Sequence, residues 1–461
     1  MASGPERFSP DPRYTEEFTR ARELLLAHPG RWRVIYHYDG DGIASATSAV
    51  RALRRLGYGA QATPLVGVDE SRMRELLRAT RGPVWVVDTG ASWLDAFAAH
   101  PYPVVILDHH SYLAPAGESP DHVALVNPLD WGVDGMSELC AATLTWLYTI
   151  FLEPKNWDNA PWGLSGAIAD RQHVGGFKGL NATLLAEAEE RRLLSRRAGV
   201  ALSGSTLGEA VERSIDPYFR GLSGQRAATA EFLRVLGLDP AGSLPSLSTA
   251  DLEKLTRALE EHLRKQGVRP EFVAAFRREQ YTVPALGLDA TDLSEYQNAC
   301  GRAGTPGVGV ALGLGDPTAL ERARSARESW RGGVLTGLLR LDSAGAHELP
   351  YLQWFESPEG PLAGTQAGMA MTYLLDPNRP VFVFSTSGEV LKLSARGTHY
   401  LVDRGLDLAR ACREAAAAVG GEGGGHKVAS GATIPAGSRD RFLQEANRLV
   451  GEQLPTGAGE A

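Results

Sequence analysis

An α/β fold with a parallel N-terminal sheet is predicted for this chain of 461 residues, and three observations predict it. Segments 33–38, 83–87 and 103–107 are short apolar runs with the length of buried strands. Helical patterns separate these runs, as in βαβ units, whose strands are parallel. Each run is followed at once by an acidic residue, and the ligands of such sheets gather at the carboxyl ends of the strands. These acidic residues are Asp39, Asp88 and Asp108.

The rest of the chain is predicted to form a connecting region, a helical insertion and a smaller α/β domain. A long helix is expected over 180–199, and 226–277 has a helical pattern interrupted at 240–245. Strands are expected at 334–341, 381–386, 390–395 and 432–434, and further helices at 43–56, 406–419 and 439–450. The expected domains are 1–177 for catalysis, 178–225 for the connecting helix and linker, 226–330 for the insertion and the start of a second lobe, and 331–461 for substrate binding.

Composition argues against several classes of protein. A net charge of −8 disfavours a surface coated in positive charge for duplex DNA, although a local basic groove is compatible with it. The apolar runs stop short of the roughly 18 residues that a membrane span needs, and the N-terminus lacks the apolar core of a signal peptide. Cys140, Cys300 and Cys412 are widely spaced, which excludes a disulfide framework and a Cys-rich zinc site. We therefore expect a cytoplasmic protein without a membrane partner.

Two basic clusters allow two interpretations. The arginines at 51–55 and at 191–197 either line a channel for a nucleic-acid strand or lie on ordinary exposed helix faces.

The first motif that carries chemistry is HYDGDG at 37–42. Two carboxylates two residues apart at a strand end can reach two different cations from one backbone segment. The glycines keep the turn open and let a helix begin close behind it. Taken alone, such a motif is more often a turn or a helix cap. The candidate ligands here are His37, Asp39 and Asp41.

Three further segment ends carry acidic or histidine side chains. Asp88 follows one predicted strand, the run Asp108, His109 and His110 follows another, and Asp170 ends a run of small apolar residues. Imidazole is a common ligand of transition metals, and a neighbouring carboxylate can orient it. Helix caps and turns explain each acid separately. Together, so many carboxylates in one region are costly unless cations compensate them. Two divalent ions about 3.5–4 Å apart would do so and would activate a water against a phosphate ester.

This order of motifs, HxDxDG, an aspartate after a strand, DHH and GxxxD, resembles the DHH phosphoesterase superfamily. The superfamily includes RecJ nucleases, oligoribonucleases, cyclic-dinucleotide phosphodiesterases and type II pyrophosphatases. The resemblance implies that two Mn²⁺ ions, with Mg²⁺ as a substitute, are bound and that Asp88 bridges them. It implies that Asp108 orients or completes the ligation by His109, and that His110 lies near the scissile phosphate. The implied metal ligands are His37, Asp39, Asp41, Asp88, Asp108, His109 and Asp170, and the implied catalytic residues are His110, Asp88 and His109.

The C-terminal part resembles the DHH-associated domain. Its signature GGGHxxAxG matches 423–431, and short segments at 216–224, 298–302 and 312–316 are similar to archaeal-type RecJ-like exonucleases. Glycine-rich backbone can bring N–H groups close to a phosphate. The substrate-binding residues that this resemblance implies are Gly423, Gly424, Gly425, His426, Arg396 and Arg302.

The expected function is hydrolysis of single-stranded DNA or RNA to mononucleotides by a two-metal exonuclease. The alternative is a phosphodiesterase of short oligonucleotides or cyclic dinucleotides, which the helical insertion at 226–277 disfavours. A scaffold without metals is disfavoured because it would have no reason to keep the acidic set. By analogy, the partners are single-stranded nucleic acid and a single-strand-binding protein or a replication or repair helicase.

Overall fold

The computed structural model shows two compact units. The residues that it describes are 8, 11–67, 69–112 and 120–454. The first unit comprises Met1–Gly199 and Arg278–Glu328, and the second comprises Val200–Arg277 and Ser329–Ala461. Residues 278–328 had been expected in the insertion and the second lobe, and they are instead part of the first unit. Among the described residues, no helix is both long and apolar enough to cross a membrane.

Helices and strands alternate along most of the chain. The helices are α1 (Pro12–Leu26), α2 (Gly40–Arg55), α3 (Glu70–Ala79), α4 (Leu94–Ala98), α5 (Ala141–Leu152), α6 (Ala160–Ala169), α7 (Gly179–Glu190), α8 (Leu207–Glu212), α9 (Arg226–Val235), α10 (Thr249–Lys265), α11 (Pro270–Ala274), α12 (Ala290–Arg302), α13 (Pro306–Gly313), α14 (Ala319–Ala344), α15 (Ala363–Tyr373), α16 (His399–Asp403), α17 (Leu408–Ala417) and α18 (Arg439–Gln453). The strands are β1 (Arg31–His37), β2 (Gly59–Leu65), β3 (Val84–Val87), β4 (Val104–Leu107), β5 (Val123–Val126), β6 (Ser195–Val200), β7 (Arg277–Val283), β8 (Leu288–Asp289), β9 (His347–Glu348), β10 (Gln353–Glu356), β11 (Val381–Ser387), β12 (Val390–Arg396), β13 (Glu422–Gly425) and β14 (Ala429–Pro435).

The first unit is built on a five-stranded, fully parallel sheet in the order β2-β1-β3-β4-β5. Side chains of α1, α2 and α5 cover one face, and those of α3 and α4 cover the other. The middle strands are therefore apolar in both directions, with Trp85 on one face and Val86 on the other. The three strands predicted in this region are present, and the predicted α/β class is confirmed.

Helix α2 carries the first motif at its N-terminus and is held on several sides. It packs against α5, α6, α12 and α13, and it consists largely of small residues. Glycines of α13 bring that helix into close contact: a Cβ at Gly309 would lie 2.7 Å from Ile43, and one at Gly313 would collide with Thr47. Because dense packing resists displacement, the start of α2 is a rigid platform.

The helix expected over 180–199 is wrong in its second half. Helix α7 ends at Glu190, and Ser195–Val200 forms strand β6, which pairs with β7 in a three-stranded sheet with β8.

A Schellman motif terminates α7. The N–H of Leu193 donates to the carbonyl of Ala188, and the N–H of Arg192 donates to that of Glu189. Arg192 holds the left-handed position, with φ 59°. Glycine is the usual residue at this position. Because an arginine occupies it here, the sequence pattern does not indicate the end of the helix.

Replacing Arg192 with glycine should raise the free energy of unfolding by about 1 kcal/mol, because glycine adopts the left-handed conformation without the strain that a Cβ introduces. The side chain is exposed, so its loss removes little packing. Denaturant titration measures the effect, with Arg192→Ala as the control that keeps the Cβ and should show no gain. A glycine variant no more stable than the wild type would contradict the assigned strain.

The basic clusters are engaged with acidic neighbours. Arg51 and Arg55 lie 2.9 and 2.7 Å from the same Asp158 oxygen, and Arg196 lies 3.2 Å from Glu189. These contacts favour the interpretation of both clusters as ordinary surface.

The second unit is built on a six-stranded mixed sheet in the order β13-β14-β12-β11-β10-β9. Only the β10–β11 pair is parallel among its strand pairs. Helices α17 and α18 pack on one face, and α15 packs against β11 and β12. The expected elements at 381–386, 390–395, 406–419, 432–434 and 439–450 are present as β11, β12, α17, β14 and α18.

The strand expected at 334–341 is wrong, because these residues lie within α14. Val334 and Leu338 are buried four residues apart, which is helical spacing. Gly337 in this segment serves packing, because a Cβ there would collide with Gln366 of α15.

The helical insertion expected at 226–277 is present as α9, α10 and α11. The segment before it is tied to its own unit, since Arg220 lies 2.7 Å from Asp342 and Gln266 donates to the Tyr218 carbonyl at 3.0 Å. These contacts attach the insertion to the body of the second unit.

Candidate metal centre

Acidic side chains of the first unit converge at the carboxyl edge of the parallel sheet. Asp39, Asp88 and Asp108 follow β1, β3 and β4, which are neighbours in that sheet. Asp41 comes from the first turn of α2, and Asp170 directly follows α6.

The imidazole of His109 lies within this group. Its Nε2 atom is 3.3 Å from Asp88, 3.6 Å from Asp170 and 3.7 Å from Asp41. Its Nδ1 atom is 2.7 Å from the carbonyl oxygen of Gly135. A carbonyl oxygen can only accept a hydrogen bond, so Nδ1 carries a proton. In the neutral imidazole, Nε2 therefore presents its lone pair to the carboxylates.

The N-terminus of α5 holds the carboxylate of Asp41. Its oxygens accept hydrogen bonds from the N–H groups of Ala141 and Ala142, each at 2.9 Å, and from the thiol of Cys140 at 3.0 Å. Unpaired N–H groups at a helix N-terminus favour a negative charge. Helix α6 passes close by, since a Cβ at Gly166 would lie 2.8 Å from Asp41. The position of this carboxylate is thus fixed by two helices.

Asp88 combines backbone strain with an unsatisfied oxygen. Its φ of 61° lies in the left-handed region, and it is 2% exposed. Its Oδ2 atom lies 3.4 Å from Nδ1 of His37 but accepts no hydrogen bond of good geometry from any described residue. Such an oxygen costs free energy when it is buried, and strained residues concentrate at functional sites.

His37 joins the cluster through two carboxylates. Its Nδ1 atom lies 3.0 Å from Asp39 and 3.4 Å from Asp88. Asp39 also caps α2, because its Oδ1 atom accepts the N–H of Gly42 at 3.1 Å. The cap and the ligand interpretations of Asp39 are therefore compatible, one for each oxygen.

Asp108 orients His110 and not the ring of His109. Its Oδ1 atom lies 2.8 Å from Nδ1 of His110, and its Oδ2 atom accepts the N–H of Ala91 at 2.8 Å. His109 contacts Asp108 through its backbone, since its N–H donates to Oδ1 of Asp108 at 2.8 Å, and not through its ring. The role expected for Asp108 beside the His109 ring is taken by the carbonyl of Gly135.

Burial and mutual repulsion raise the pKa values of several carboxyl groups in the cluster. Burial, and then Asp41, raise the pKa of Asp170 from 3.8 to about 7. Burial, with Asp88, raises the pKa of Asp41, and burial, with Asp39, raises that of Asp88. Burial alone would lower the pKa of His37, but Asp39 raises it to about 11. The cluster therefore retains protons that a divalent cation would displace.

The donor set fits a pair of divalent cations. There are three groups of residues whose potential ligand atoms, within each group, lie within 4.8 Å of one another, and Asp88 belongs to two of these groups, as a bridging carboxylate must. Carboxylate and imidazole donors suit Mn²⁺, and carboxylates also suit Mg²⁺. The groups are Asp88, His109 and His110; His37, Asp39 and Asp88; and Asp41, Cys140 and Asp170. The thiol of Cys140 had not been expected here, and its sequence position gives no sign of it.

The end of α12 supports the first motif. Asn298 accepts the N–H of Gly40 at 2.9 Å, and Arg302 donates to the hydroxyl of Tyr38 at 3.3 Å. Arg302 is thus part of the first unit and lies next to the metal-ligand candidates. The role of Asn298 had been missed.

Replacing Gly301 with alanine should lower the free energy of unfolding by about 1–3 kcal/mol, as overpacking does. A Cβ there would collide with the carbonyl oxygen of Tyr38 and lie 3.5 Å from Cα of Asp39. Denaturant titration tests this, with Gly307→Ala as the matched control because a Cβ at Gly307 meets no atom within 4 Å. Equal stability of the two variants would contradict the close approach.

The glycine-rich signature of the second unit forms a hairpin and not a loop. Gly423, Gly424 and Gly425 lie in β13, the outermost strand of its sheet, and pair with β14. A Cβ at Gly423 would collide with the carbonyl of Cys412 on α17. His426 is exposed at the turn, where its N–H donates to the Ala429 carbonyl at 2.8 Å.

Arg396 ends the strand next to this hairpin. It is opposite Ala429 in the β12–β14 register, and a Cβ at Gly364 would lie 2.8 Å from its guanidinium. A groove of about 560 Å³ runs over the same strands, with Lys392, Ser394 and Thr433 among its lining residues.

Comparison with known families identifies both parts of the chain. Residues 31–170 match the DHH family, N-terminal domain, and residues 361–452 match the DHHA1 domain. The chain belongs to the DHH superfamily and has a C-terminal DHHA1 domain, as its motifs predicted.

Similar proteins share this organisation. The uncharacterized protein MJ0831 of Methanocaldococcus jannaschii is 28% identical over 445 residues, which cover 95% of this chain and 98% of that protein. RecJ from Thermus thermophilus, solved in complex with Mn²⁺, matches with a TM-score of 0.58 at 19% identity over 96% of this chain. This chain spans 55% of the length of that RecJ. CDC45 from Entamoeba histolytica matches with a TM-score of 0.67 at 9% identity, over 95% of this chain and 98% of that one.

Proposed function

We propose that this protein is a RecJ-like, metal-dependent exonuclease that hydrolyses single-stranded DNA or RNA to mononucleotides. The cluster of carboxylates around His109, with the unsatisfied oxygen of Asp88, carries this proposal. The fold shared with T. thermophilus RecJ, which holds Mn²⁺, supports Mn²⁺ as the cofactor and Mg²⁺ as a substitute.

The side chains around His109 would hold two cations, and Asp88, which belongs to two of the groups of potential ligand atoms, would be among their ligands. When bound, the cations would activate a water and neutralise charge on the phosphate. Hydrogen bonds fix three of the proposed ligands before a cation binds. The N-terminus of α5 donates to Asp41, the N–H of Gly42 donates to one oxygen of Asp39, and the carbonyl of Gly135 sets the tautomer of His109. The proposed ligands are His37, Asp39, Asp41, Asp88, His109 and Asp170.

His110 would bind the reacting phosphate. Its side chain is 47% exposed, and its Nδ1 atom is tied to Asp108, which leaves Nε2 to donate to a ligand. Burial alone would lower the pKa of His110, but the hydrogen bond with Asp108 raises it. The ring is therefore more often protonated near neutral pH and can donate a proton in a charge-assisted hydrogen bond to a phosphate oxygen.

Two further sets of residues would bind the strand. Arg302 lies beside Tyr38 in the first unit, where a guanidinium can pair with a phosphate. In the second unit, Arg396 and the hairpin of Gly423, Gly424, Gly425 and His426 would contact the nucleic acid. Among the described residues, no strand pairs with the outer edge of β13, so this edge would offer backbone N–H groups that can donate hydrogen bonds to phosphate oxygens.

The test is hydrolysis of four end-labelled substrates: single-stranded DNA, single-stranded RNA, a dinucleotide and a cyclic dinucleotide. Each is incubated with Mn²⁺, with Mg²⁺ and with chelator. Stepwise shortening of the long strands that requires metal is the expected result, and the label lost first gives the polarity. Arg302→Ala should weaken this reaction and leave Mn²⁺ binding unchanged. Hydrolysis confined to the two small substrates would overturn the exonuclease proposal in favour of a small-nucleotide phosphodiesterase. Inactivity on all four would overturn the phosphodiesterase proposal itself.

A further inference from the structure

The carbonyl oxygen of Gly135 accepts two side-chain hydrogen bonds. One comes from Nδ1 of His109 at 2.7 Å, and the other comes from Nε2 of Gln172 at 2.8 Å. The same carbonyl thus links a metal-ligand candidate to a buried amide that has no place in the proposed chemistry. Gln172 is 5% exposed.

The end of α6 explains why Gln172 lies there. The N–H of Gln172 donates to the carbonyl of Ala167, and that of Arg171 donates to Ile168, which is a Schellman motif. Arg171 takes the left-handed position with φ 61°. Because of this turn, Asp170 and Gln172 contact opposite sides of the His109 ring. Asp170 faces Nε2 of His109, and Gln172 donates to the Gly135 carbonyl, which accepts the hydrogen bond of Nδ1.

Asn181 of α7 fixes the amide of Gln172. Its Nδ2 atom donates to Oε1 of Gln172 at 2.6 Å, so Nε2 of Gln172 must point at the Gly135 carbonyl. The backbone N–H of Asn181 donates to the carbonyl of Glu138, in the segment that contains Gly135. The side chains form a chain of hydrogen bonds from Asn181 through Gln172 to the peptide that orients His109.

The peptide that carries the Gly135 carbonyl is restrained on its N–H side as well. Gly135 has no side chain, and a Cβ there would collide with the carbonyl oxygen of His109. Its neighbour Met136 is 73% exposed, and the backbone N–H of Met136, which belongs to this peptide, donates to Oδ1 of Asp134 at 3.0 Å. Without Gln172, His109 would be the one described side chain that donates to the carbonyl of this peptide, and a tilt of the carbonyl would let the imidazole turn away from the carboxylates.

We propose that Gln172 is a positioning residue for the metal centre: it holds the Gly135 carbonyl so that His109 presents Nε2 as a ligand, and Asn181 acts through it. This proposal rests on the proposed function, because it requires that His109 bind a metal. Partners of this kind behind a ligand histidine typically change metal affinity by about 10–100-fold when they are lost.

The experiment measures Mn²⁺ binding to the full-length protein by isothermal titration calorimetry and by the electron paramagnetic resonance signal of free Mn²⁺. Gln172→Met keeps the length and approximate volume of the side chain and removes its donor. We expect its dissociation constant for Mn²⁺ to rise on the order of tenfold. Gln366→Ala is the control, since Gln366 is buried in the second unit and donates to the Gly333 carbonyl. It should lose stability and bind Mn²⁺ as the wild type does.

A double-mutant cycle separates positioning from a general loss of structure. Asn181→Ala should weaken Mn²⁺ binding less than Gln172→Met, and the double variant should bind no more weakly than Gln172→Met alone, because Asn181 acts only through Gln172. If Gln172→Met does not fold, Asn181→Ala alone decides, and unchanged affinity in it overturns the inference. Wild-type affinity in a folded Gln172→Met, or additive losses in the cycle, would also overturn it and leave the proposed function standing. A wild-type protein that binds no Mn²⁺ would overturn both.

Discussion

Asp88→Asn should abolish metal-dependent hydrolysis and at the same time stabilise the metal-free protein. Asp88 is the one residue shared by two groups of potential ligand atoms among the described residues, so its loss would affect both of the proposed cation positions. Removal of several kcal/mol of charge stabilisation in the transition state lowers the rate by roughly 10³-fold or more. The substrate assay with Mn²⁺ measures this loss.

The gain in stability has two causes at the same residue. The left-handed backbone conformation of Asp88 suits asparagine at least as well as aspartate. Burial and Asp39 raise the pKa of Asp88, which means that the folded protein favours a neutral group there. A gain of about 1–2 kcal/mol in the free energy of unfolding is expected in chelator, since asparagine is neutral and nearly isosteric.

Denaturant titrations with chelator and with Mn²⁺ check the second half of this prediction. Wild-type protein should be stabilised by Mn²⁺ and Asp88→Asn should not. Asp95→Asn, an exposed aspartate of α4 in the same unit, is the control and should leave both quantities unchanged. If Asp88→Asn is less stable than the wild type in chelator, Asp88 is a structural ion-pair partner of His37 and His109. It is then not a metal ligand whose burial lowers the free energy of unfolding of the metal-free protein.

The parts of the site that the sequence predicted are those that local rules determine. Asp39, Asp88 and Asp108 each follow a buried strand, and parallel strands necessarily bring such ends together. The contacts that complete the site join distant segments: Asp41 with the N-terminus of α5, and His109 with Gly135. Periodicity does not encode such pairings, because they depend on how helices pack in the folded chain.

The errors in secondary structure have the same origin. The pattern at 334–341 fits a short strand as well as a helix, and only packing against α15 decides between them. The end of α7 was missed because Arg192 occupies a position where glycine is the usual signal. Likewise, neither the left-handed conformation of Asp88 nor the hydrogen bond from Gly40 to Asn298 has a signature in the sequence.

The stability of the metal-free protein should fall as the pH rises from about 5 to 8, opposite to ordinary acid denaturation. Burial and Asp41 raise the pKa of Asp170 from 3.8 to about 7, so the folded state binds this proton more tightly than the unfolded state. Its contribution is fully present below the unfolded value and is lost as the pH rises through about 7. Over the whole interval from 3.8 to about 7, of which the upper part lies above pH 5, this single carboxyl corresponds to a change on the order of 4 kcal/mol. Asp41 acts in the same direction, and His37, with its pKa raised to about 11, continues the decline above its unfolded value of 6.5.

Bound cations should reverse this trend, because they displace the retained protons. The affinity for Mn²⁺ should therefore rise over the same pH interval, and binding should release protons, which calorimetry in buffers of different ionisation enthalpy measures. Glu17, outside the cluster, has a pKa raised by burial to about 8 and also contributes to the decline without metal. Glu17→Gln removes that contribution and should leave the pH dependence of Mn²⁺ affinity intact. Asp170→Asn should reduce both the decline of stability with pH and the pH dependence of Mn²⁺ affinity. If stability in chelator instead rose from pH 5 to 8, the carboxylates would be ionised without cost, and the main electrostatic argument for a metal at this site would fail.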